Sequence, residues 1–143
     1  MGMYYYSVGR GSNLLLNISP DRRGRLPEAD KKALLAFGQR IKADFSDFAH
    51  CECIPEDGKL TLRTELQLIN HAVLEEEITG EEIENFRIKV YPYPHGAPVT
   101  VYTGTTIGHK AICRFPTIRT KKVEITFDRS KKVSAKIKYI PQY

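Results

Sequence analysis

The sequence lacks tryptophan and any long apolar segment, and it has only three cysteines among its 143 residues. No apolar run approaches the roughly 20 residues that a membrane-spanning helix needs, so we expect no membrane partner. The first residues, MGMYYYSVGR, lack a basic segment followed by an apolar one, so we expect no secretory signal there. A protein that starts at Met1 would then stay in the cytosol, unless the true N-terminus lies upstream.

Lysines and arginines outnumber the acidic residues, 22 to 17, which gives a net charge of +5. The basic residues are scattered, and acidic clusters at 75–77 and 81–82 interrupt them. Nucleic-acid-binding chains instead concentrate their basic residues in a stripe with interleaved aromatic side chains. We therefore expect no nucleic-acid partner. The composition, 41% hydrophobic and 27% charged, is that of a globular protein.

The three cysteines do not match a familiar metal site. Cys51 and Cys53 flank a single glutamate beside His50, whereas structural zinc ligands usually come in pairs two to four residues apart. We therefore predict no metal site and no cofactor, with reduced and half-buried thiols. A disulfide between Cys113 and either of the other two cysteines remains open at this stage.

The segment GSNLLLNISPDRRG, from Gly11 to Gly24, predicts a strand followed by a turn. Residues 13–18 include an uninterrupted apolar run, which suits a strand buried on both faces, as in a parallel sheet. Pro20 breaks this strand, and Pro27 suits the first turn of a helix that ends near residues 44–45. The apolar residues of this helix recur at helical spacing: Leu34, Phe37, Ile41 and Phe45. One β/α unit of this kind cannot bury its strand alone.

The second part of the chain follows a different hydrophobic period. The segments that predict strands there are 60–68, 70–76, 86–90, 99–101, 123–127 and 133–139. Short strands with one wet face, separated by turn signals, indicate an antiparallel sandwich. Residues 46–58 are predicted to be a connector that closes in a turn at 55–58. We therefore predict two parts, a β/α unit at 1–45 and a sandwich at 46–143.

Two long stretches resemble glycoside hydrolase family 29 α-L-fucosidases. GSNLLLNISPDRRGRLPEADKKALLAFGQRIK is similar to the end of their catalytic barrel, where a Gly-Asn-Leu-Leu-Leu-Asn-(Ile/Val)-Gly-Pro strand precedes a turn and a helix. INHAVLEEEITGEEIENFRIKVYPY and VYTGTTIGHKAICRFPTIRTKKVEITF are similar to the galactose-binding-like β-sandwich that follows the barrel. Ser12 and Ser19 stand where the family pattern has Gly, and the tryptophan-containing segment that usually opens such a sandwich is missing. The resemblance implies a mainly β fold, an antiparallel jelly-roll-like sandwich preceded by one β/α unit from the end of a TIM-type barrel.

The resemblance also implies a function, that of the C-terminal portion of an enzyme that hydrolyses terminal α-L-fucose with retention. Retention requires two carboxyl groups about 5 Å apart. In the family both belong to barrel segments before the strand that residues 13–18 match, so we predict no catalytic residue here and no activity of this chain alone. The implied partners are a fucosylated glycan or the rest of the fucosidase barrel. The family is typically secreted or lysosomal.

Two groups of residues are candidate binding sites. The loop at 104–110 brings hydrogen-bonding side chains near tyrosines, as sugar recognition requires, and the candidates are Tyr102, Thr105, Thr106, His109 and Lys110. Alternatively, Ile107 plugs the core and the glycines of this loop only turn the chain. The other candidates, Asn17, Ser19 and Asp21, would face the sugar pocket at the barrel mouth, unless they only shape the loop.

Two histidines and two alternative functions of the chain complete the predictions from the sequence. His71 and His95 have no partner pattern and are predicted to be ordinary surface or turn residues. A stand-alone carbohydrate-binding module would be consistent with the same loop. A protein-interaction domain would be consistent with an exposed apolar strand that needs a partner to cover it.

Overall fold

The protein is mainly β, with one six-stranded antiparallel sheet. The computed structural model describes residues 1–46, 48–53 and 58–140, and its description excludes the side chains of residues 49–53 and 64. The helical elements are α1 (Gly2–Tyr6), a 3-10 turn (Val8–Arg10) and α2 (Glu28–Asp44). The strands are β1 (Phe48–Cys53), β2 (Lys59–Glu76), β3 (Phe86–Val90), β4 (Val99–Gly104), β5 (Ala111–Phe127) and β6 (Val133–Ile140). The order across the sheet is β1-β6-β2-β5-β3-β4.

The two long strands, β2 and β5, pair with each other along most of their length and connect two halves of the sheet. β6 pairs with the C-terminal half of β2, while β3 pairs with the C-terminal end of β5. The β2–β5 ladder is irregular between Arg63 and Gln67 and again between Ile69 and His71. Pro116 lies in β5 opposite the second irregularity, where a residue without a backbone N–H is tolerated. Such bulges bend strands, so the sheet can fold over and bring its two halves face to face.

A single hydrophobic core fills the space between these halves. Most of its members come from β2, β3, β5 and β6, and Leu74, Ile88 and Ile125 are each 0% exposed. Ile83 and Ile107 join this core from loops. In β3 and in most of β6, buried residues alternate with exposed or half-buried ones, as the period of two predicts. Burial of each such aliphatic side chain contributes about 1.5–3 kcal/mol. The antiparallel sandwich predicted from the sequence is confirmed.

The helix α2 forms where the sequence predicts it, but it lies on the surface. Leu34, Phe37 and Ile41 are half-buried, and no residue of the helix is fully buried. An aromatic cluster connects it to α1 and to the sandwich: the Tyr4 ring centroid lies 6.3 Å from that of Phe37, and the Phe45 ring stacks on Phe48 of β1 with centroids 5.9 Å apart. The predicted stripe is therefore the contacting face of the helix.

The prediction of a buried strand at residues 13–18 is wrong for this chain. Residues 12–20 form neither helix nor strand, and Leu15 and Leu16 are 85% and 40% exposed. A strand buried on both faces requires neighbouring strands and covering helices. In the part of the chain that the structure describes, no strand pairs with this segment.

The strand boundaries differ from the prediction at three places. Phe48–Cys53, predicted to be connector, is a strand paired with β6, with residue 50 opposite Lys136. The two predicted strands at 60–68 and 70–76 are one continuous strand, and β5 begins at Ala111 instead of near residue 123. The predicted turn at 55–58 lies outside the described residues except for Gly58. The division at residue 45 stays a prediction.

Of the three cysteines, the structure describes the side chain of Cys113. Cys113 is a free thiol and is fully buried, not half-buried, and this burial raises its pKa to about 12. The side chains of Cys51 and Cys53 lie outside the described part. Among the side chains that are described, no three histidine, cysteine or acidic residues come together as metal ligands.

Candidate functional site: a cleft beside the β4–β5 loop

A cleft of about 580 Å³ lies between the β4–β5 loop, the loop after β2 and the 3-10 turn. Its described lining residues are Arg10, Gly11, Ile78, Glu82, Phe86, Tyr102, Thr103, Gly104, Thr105, Thr106, Ile107, Gly108, His109 and Ala111. This volume is within the range of small-ligand sites, about 300–1,000 Å³.

The loop that borders the cleft is fixed by its own sequence. Ile107 is 2% exposed and belongs to the hydrophobic core, so it anchors the middle of the loop. Gly108 adopts a left-handed conformation, with φ of 60°, and its carbonyl accepts a hydrogen bond from the Glu76 N–H at 3.1 Å. The polar residues on either side of Ile107 are therefore held at the surface. The same loop therefore buries Ile107 in the core and presents Thr105, Thr106 and His109 to the cleft.

An aromatic pair forms the floor beside this loop. The Tyr102 ring stacks on Phe86 with centroids 5.9 Å apart, and Phe86 is 2% exposed. A Cβ at Gly104 would lie 2.3 Å from the Phe86 ring, so only glycine fits opposite this phenyl group. Burial and the neighbouring Cys113 thiol, with which it hydrogen-bonds, raise the pKa of the Tyr102 hydroxyl. The half-buried ring offers an apolar face next to hydrogen-bonding groups.

Four of the five sugar-binding candidates line the cleft together: Tyr102, Thr105, Thr106 and His109. Lys110 does not line it, and its Nζ lies 3.3 Å from Glu75 Oε1. Lys110 lines a separate cavity of about 160 Å³ with Tyr4 and Phe45. Two further charged residues, Arg10 and Glu82, line the cleft and were not predicted. They come from distant parts of the chain, and no local pattern in the sequence marks them.

The three barrel-mouth candidates do not converge on one cavity. The Asp21 carboxylate accepts hydrogen bonds from the backbone N–H groups of Arg23 (2.8 Å) and Arg25 (3.1 Å). The Arg23 side chain also pairs with it, and this interaction lowers the pKa of Asp21. Asn17 lines an apolar cavity of about 240 Å³ beside α2, while Ser19 is exposed. In this chain Asp21 organises the turn that precedes the helix.

His71 is buried, contrary to the prediction of a surface or turn residue. It is 9% exposed, its Nδ1 lies 2.6 Å from Asn70 Oδ1, and its Nε2 lies 3.3 Å from the Tyr5 hydroxyl. Burial, together with the charges of Lys138 and Arg114, lowers the pKa of His71 to about 4. The ring is therefore neutral near pH 7 and joins α1 to the sandwich through Tyr5.

Comparisons with known proteins give a consistent assignment. No protein-family model matches the chain. Over 92% of its length the chain is 26% identical to α-L-fucosidase 1 of Arabidopsis thaliana, of which it covers 33%. In the described residues, no helix is both long enough and apolar enough to span a membrane.

Solved structures match over nearly the whole chain. A protein from Bacteroides thetaiotaomicron assigned as an α-L-fucosidase has a TM-score of 0.84 and 27% identity, over 97% of this chain and 32% of that one. The Ruminococcus gnavus family 29 fucosidase, solved in complex with fucose, has a TM-score of 0.78 and 22% identity, over 99% of this chain and 36% of that one. The chain thus spans about a third of the length of these proteins. It is homologous to glycoside hydrolase family 29 α-L-fucosidases over the C-terminal part that contains their β-sandwich.

Proposed function

We propose that this chain acts as the accessory C-terminal portion of an α-L-fucosidase, where it braces the catalytic barrel and has no catalytic residue of its own. The observation that carries this proposal is the uncovered apolar surface at residues 14–18. Leu15 is 85% exposed and Leu16 is 40% exposed. Apolar surface of this kind indicates an interaction site.

The surface continues from this segment onto the helices. Leu16 and Ile18 line the cavity beside α2 with Leu34 and Phe37, and the side chain of Met3 on α1 is 64% exposed. A missing set of neighbouring strands and helices would cover these groups, as in a complete β/α barrel. The matched length, about a third of the related proteins, leaves room for such a barrel in the parent.

The distribution of carboxylates supports a non-catalytic role. A retaining glycosidase requires two carboxyl groups about 5 Å apart on either side of the scissile bond. Among the described residues that line the cleft, Glu82 is the one carboxylate. The cavity beside α2 has Asp30, and the cavity next to Lys110 has Glu75. None of these cavities therefore holds the pair that the mechanism needs.

Grafting tests the bracing role. We would replace the matched third of the Bacteroides thetaiotaomicron protein with this chain and assay hydrolysis of 4-nitrophenyl α-L-fucopyranoside. We expect turnover by the chimera and none by the isolated chain. Leu15→Asp should lower the melting temperature of the chimera by several degrees, because burial of leucine is worth about 1.5–3 kcal/mol, while the isolated chain is unchanged.

Tyr93→Asp is the matched control, since Tyr93 is 70% exposed and lies in the sandwich far along the chain from residue 15. It should leave the melting temperature of the chimera unchanged. Turnover by the isolated chain, or an equal effect of the two substitutions on the chimera, would contradict the proposal.

A second role, glycan binding, is favoured by the composition of the cleft. Tyr102 supplies an aromatic face, and Thr105, Thr106 and His109 supply hydrogen-bonding groups around it. We expect titration with L-fucose at millimolar concentration to shift the amide resonances of Thr105 and His109. Thr105→Val combined with His109→Ala should weaken fucose binding at least fivefold, as measured from the amide resonances of Tyr102 and Thr106, which line the same cleft.

Lys110→Ala is the control for this titration, because its ammonium pairs with Glu75 and lies outside the cleft lining. It should bind fucose as the unmodified chain does. Absence of shifts at millimolar fucose and galactose would refute the glycan-binding role and leave the bracing role standing.

A further inference from the structure

We propose a second carbohydrate site, specific for negatively charged sugars, in a groove at the opposite end of the β3–β4 pair. The cleft lies where Phe86 pairs with Gly104, whereas the groove lies beyond the pairing of Val90 with Val99. The two sites are thus separated by the length of the strands. The groove has a volume of about 720 Å³, which suits a small ligand better than a continuous nucleic-acid strand.

One wall of the groove is basic. Arg119, Lys121 and Lys122 line it, and no carboxylate is among its described lining residues. Lys122 lies 3.4 Å from Glu124, but in the described part of the chain neither Arg119 nor Lys121 has a carboxylate partner. Arginine and lysine without acidic partners form strong charge-assisted hydrogen bonds with sulfate or carboxylate groups.

The opposite wall is aromatic and comes from the loop between β3 and β4. Tyr91, Tyr93 and His95 line the groove, and Tyr93 is 70% exposed. The Lys122 ammonium lies 4.2 Å from the centroid of the Tyr91 ring. The exposed Tyr93 ring could stack on the C–H face of a sugar, while Arg119 and Lys121 bind an anionic substituent of the same sugar.

A buried threonine holds the two walls together. Thr120 is 0% exposed, and its Oγ1 accepts a hydrogen bond from the Tyr91 N–H at 3.1 Å while donating to the Lys122 carbonyl at 2.7 Å. Because side chains alternate along a strand, burial of Thr120 directs Arg119 and Lys121 to the outer face. The backbone segments that carry the cations and the aromatic loop are therefore fixed relative to each other, which lowers the entropy cost of binding.

The ligand class follows from these two walls. The anionic group could belong to a saccharide or be a free ion, and the aromatic wall favours the saccharide. This inference does not depend on binding in the cleft. Homology to α-L-fucosidases, which act on sugars, is consistent with it.

Calorimetric titration with N-acetylglucosamine 6-sulfate, unmodified N-acetylglucosamine and sodium sulfate tests the proposal. We expect the sulfated sugar to bind at least tenfold more tightly than either of the others, and its affinity to fall as NaCl increases. Arg119→Gln combined with Lys121→Gln should weaken this binding at least tenfold. Tyr93→Ala should weaken it threefold or more.

A charge-matched control uses Arg87→Gln combined with Lys132→Gln, two exposed cations outside the groove lining. This variant should retain the affinity of the unmodified chain, and circular dichroism should show that all variants are folded. Equal loss in the control would assign the binding to net charge alone. Equal affinity for sodium sulfate would assign it to a free ion. A single-stranded oligonucleotide is titrated in the same way, and tighter binding that Arg119→Gln with Lys121→Gln abolishes would assign the groove to nucleic acid. Each of these results would overturn the proposal.

Discussion

Replacing Lys131 with methionine should lower the free energy of unfolding by roughly 3–5 kcal/mol, the usual cost of leaving a buried charge unpaired. The side chain of Glu76 is 0% exposed, and Lys131 Nζ lies 3.5 Å from its Oε1. Within the described residues, the other polar contact of this carboxylate is the Ile83 N–H, 3.4 Å from Oε2. Urea denaturation at pH 7 measures the loss.

Two control variants isolate the electrostatic cause. Glu76→Gln combined with Lys131→Met removes both charges, and we expect it to recover most of the loss caused by the single change. Lys132→Met, one position along and exposed, should change the free energy of unfolding by less than about 0.5 kcal/mol. A loss below 1 kcal/mol for Lys131→Met would show that Glu76 finds another partner or water.

Replacing Gly58 with alanine should destabilise the fold by roughly 2–4 kcal/mol. Gly58 has a φ of 68°, a conformation that strains an L-residue, and an added Cβ would lie 2.6 Å from the Phe127 carbonyl oxygen. The obstructing atom is backbone, and the Phe127 N–H donates a hydrogen bond to the Gly58 carbonyl at 2.6 Å. The clash cannot be relieved without separating the start of β2 from the end of β5.

Gly80 provides the comparison for this prediction. Its φ is 70°, nearly that of Gly58, but a Cβ there would meet nothing within 4 Å. Gly80→Ala should therefore cost only the backbone strain, about 1 kcal/mol. Denaturation curves of both variants would separate the cost of backbone strain from the cost of the clash. Equal losses in the free energy of unfolding would show that the contact with the Phe127 carbonyl contributes nothing.

The elements that could be predicted from the sequence are those whose signal is local. The helix Glu28–Asp44 and the strands β3 and β6 have side-chain periods that are visible within a few residues. β1 is not predicted because its partner, β6, is distant in the sequence and because the apolar residues that alternate in FAHCEC are only alanine and cysteines, a weak hydrophobic signal. The apolar run at 13–18 has a strong strand signal, yet a strand forms only where another strand supplies hydrogen bonds.

The candidate cleft shows the same limit. Tyr102, Thr105, Thr106 and His109 could be grouped because they are close in sequence. The sequence could not show that the Lys110 side chain points away from the cleft, since its ammonium pairs with Glu75 on β2. Arg10 reaches the cleft because the 3-10 turn packs on β5, where Gly9 would place a Cβ only 3.2 Å from Ile112. That contact depends on the folded sheet.

The two long strands also determine how this protein must fold. Because β2 and β5 each belong to both halves of the sheet, neither half has a complete set of strands without the other. Unfolding should therefore be a single cooperative transition, with amide hydrogens of both halves exchanging through the same global opening. The ladder also joins Lys59 to Thr126, so a long loop must close before the core forms. Refolding should then be slow, on the order of milliseconds to seconds, as in other sheets built from distant contacts.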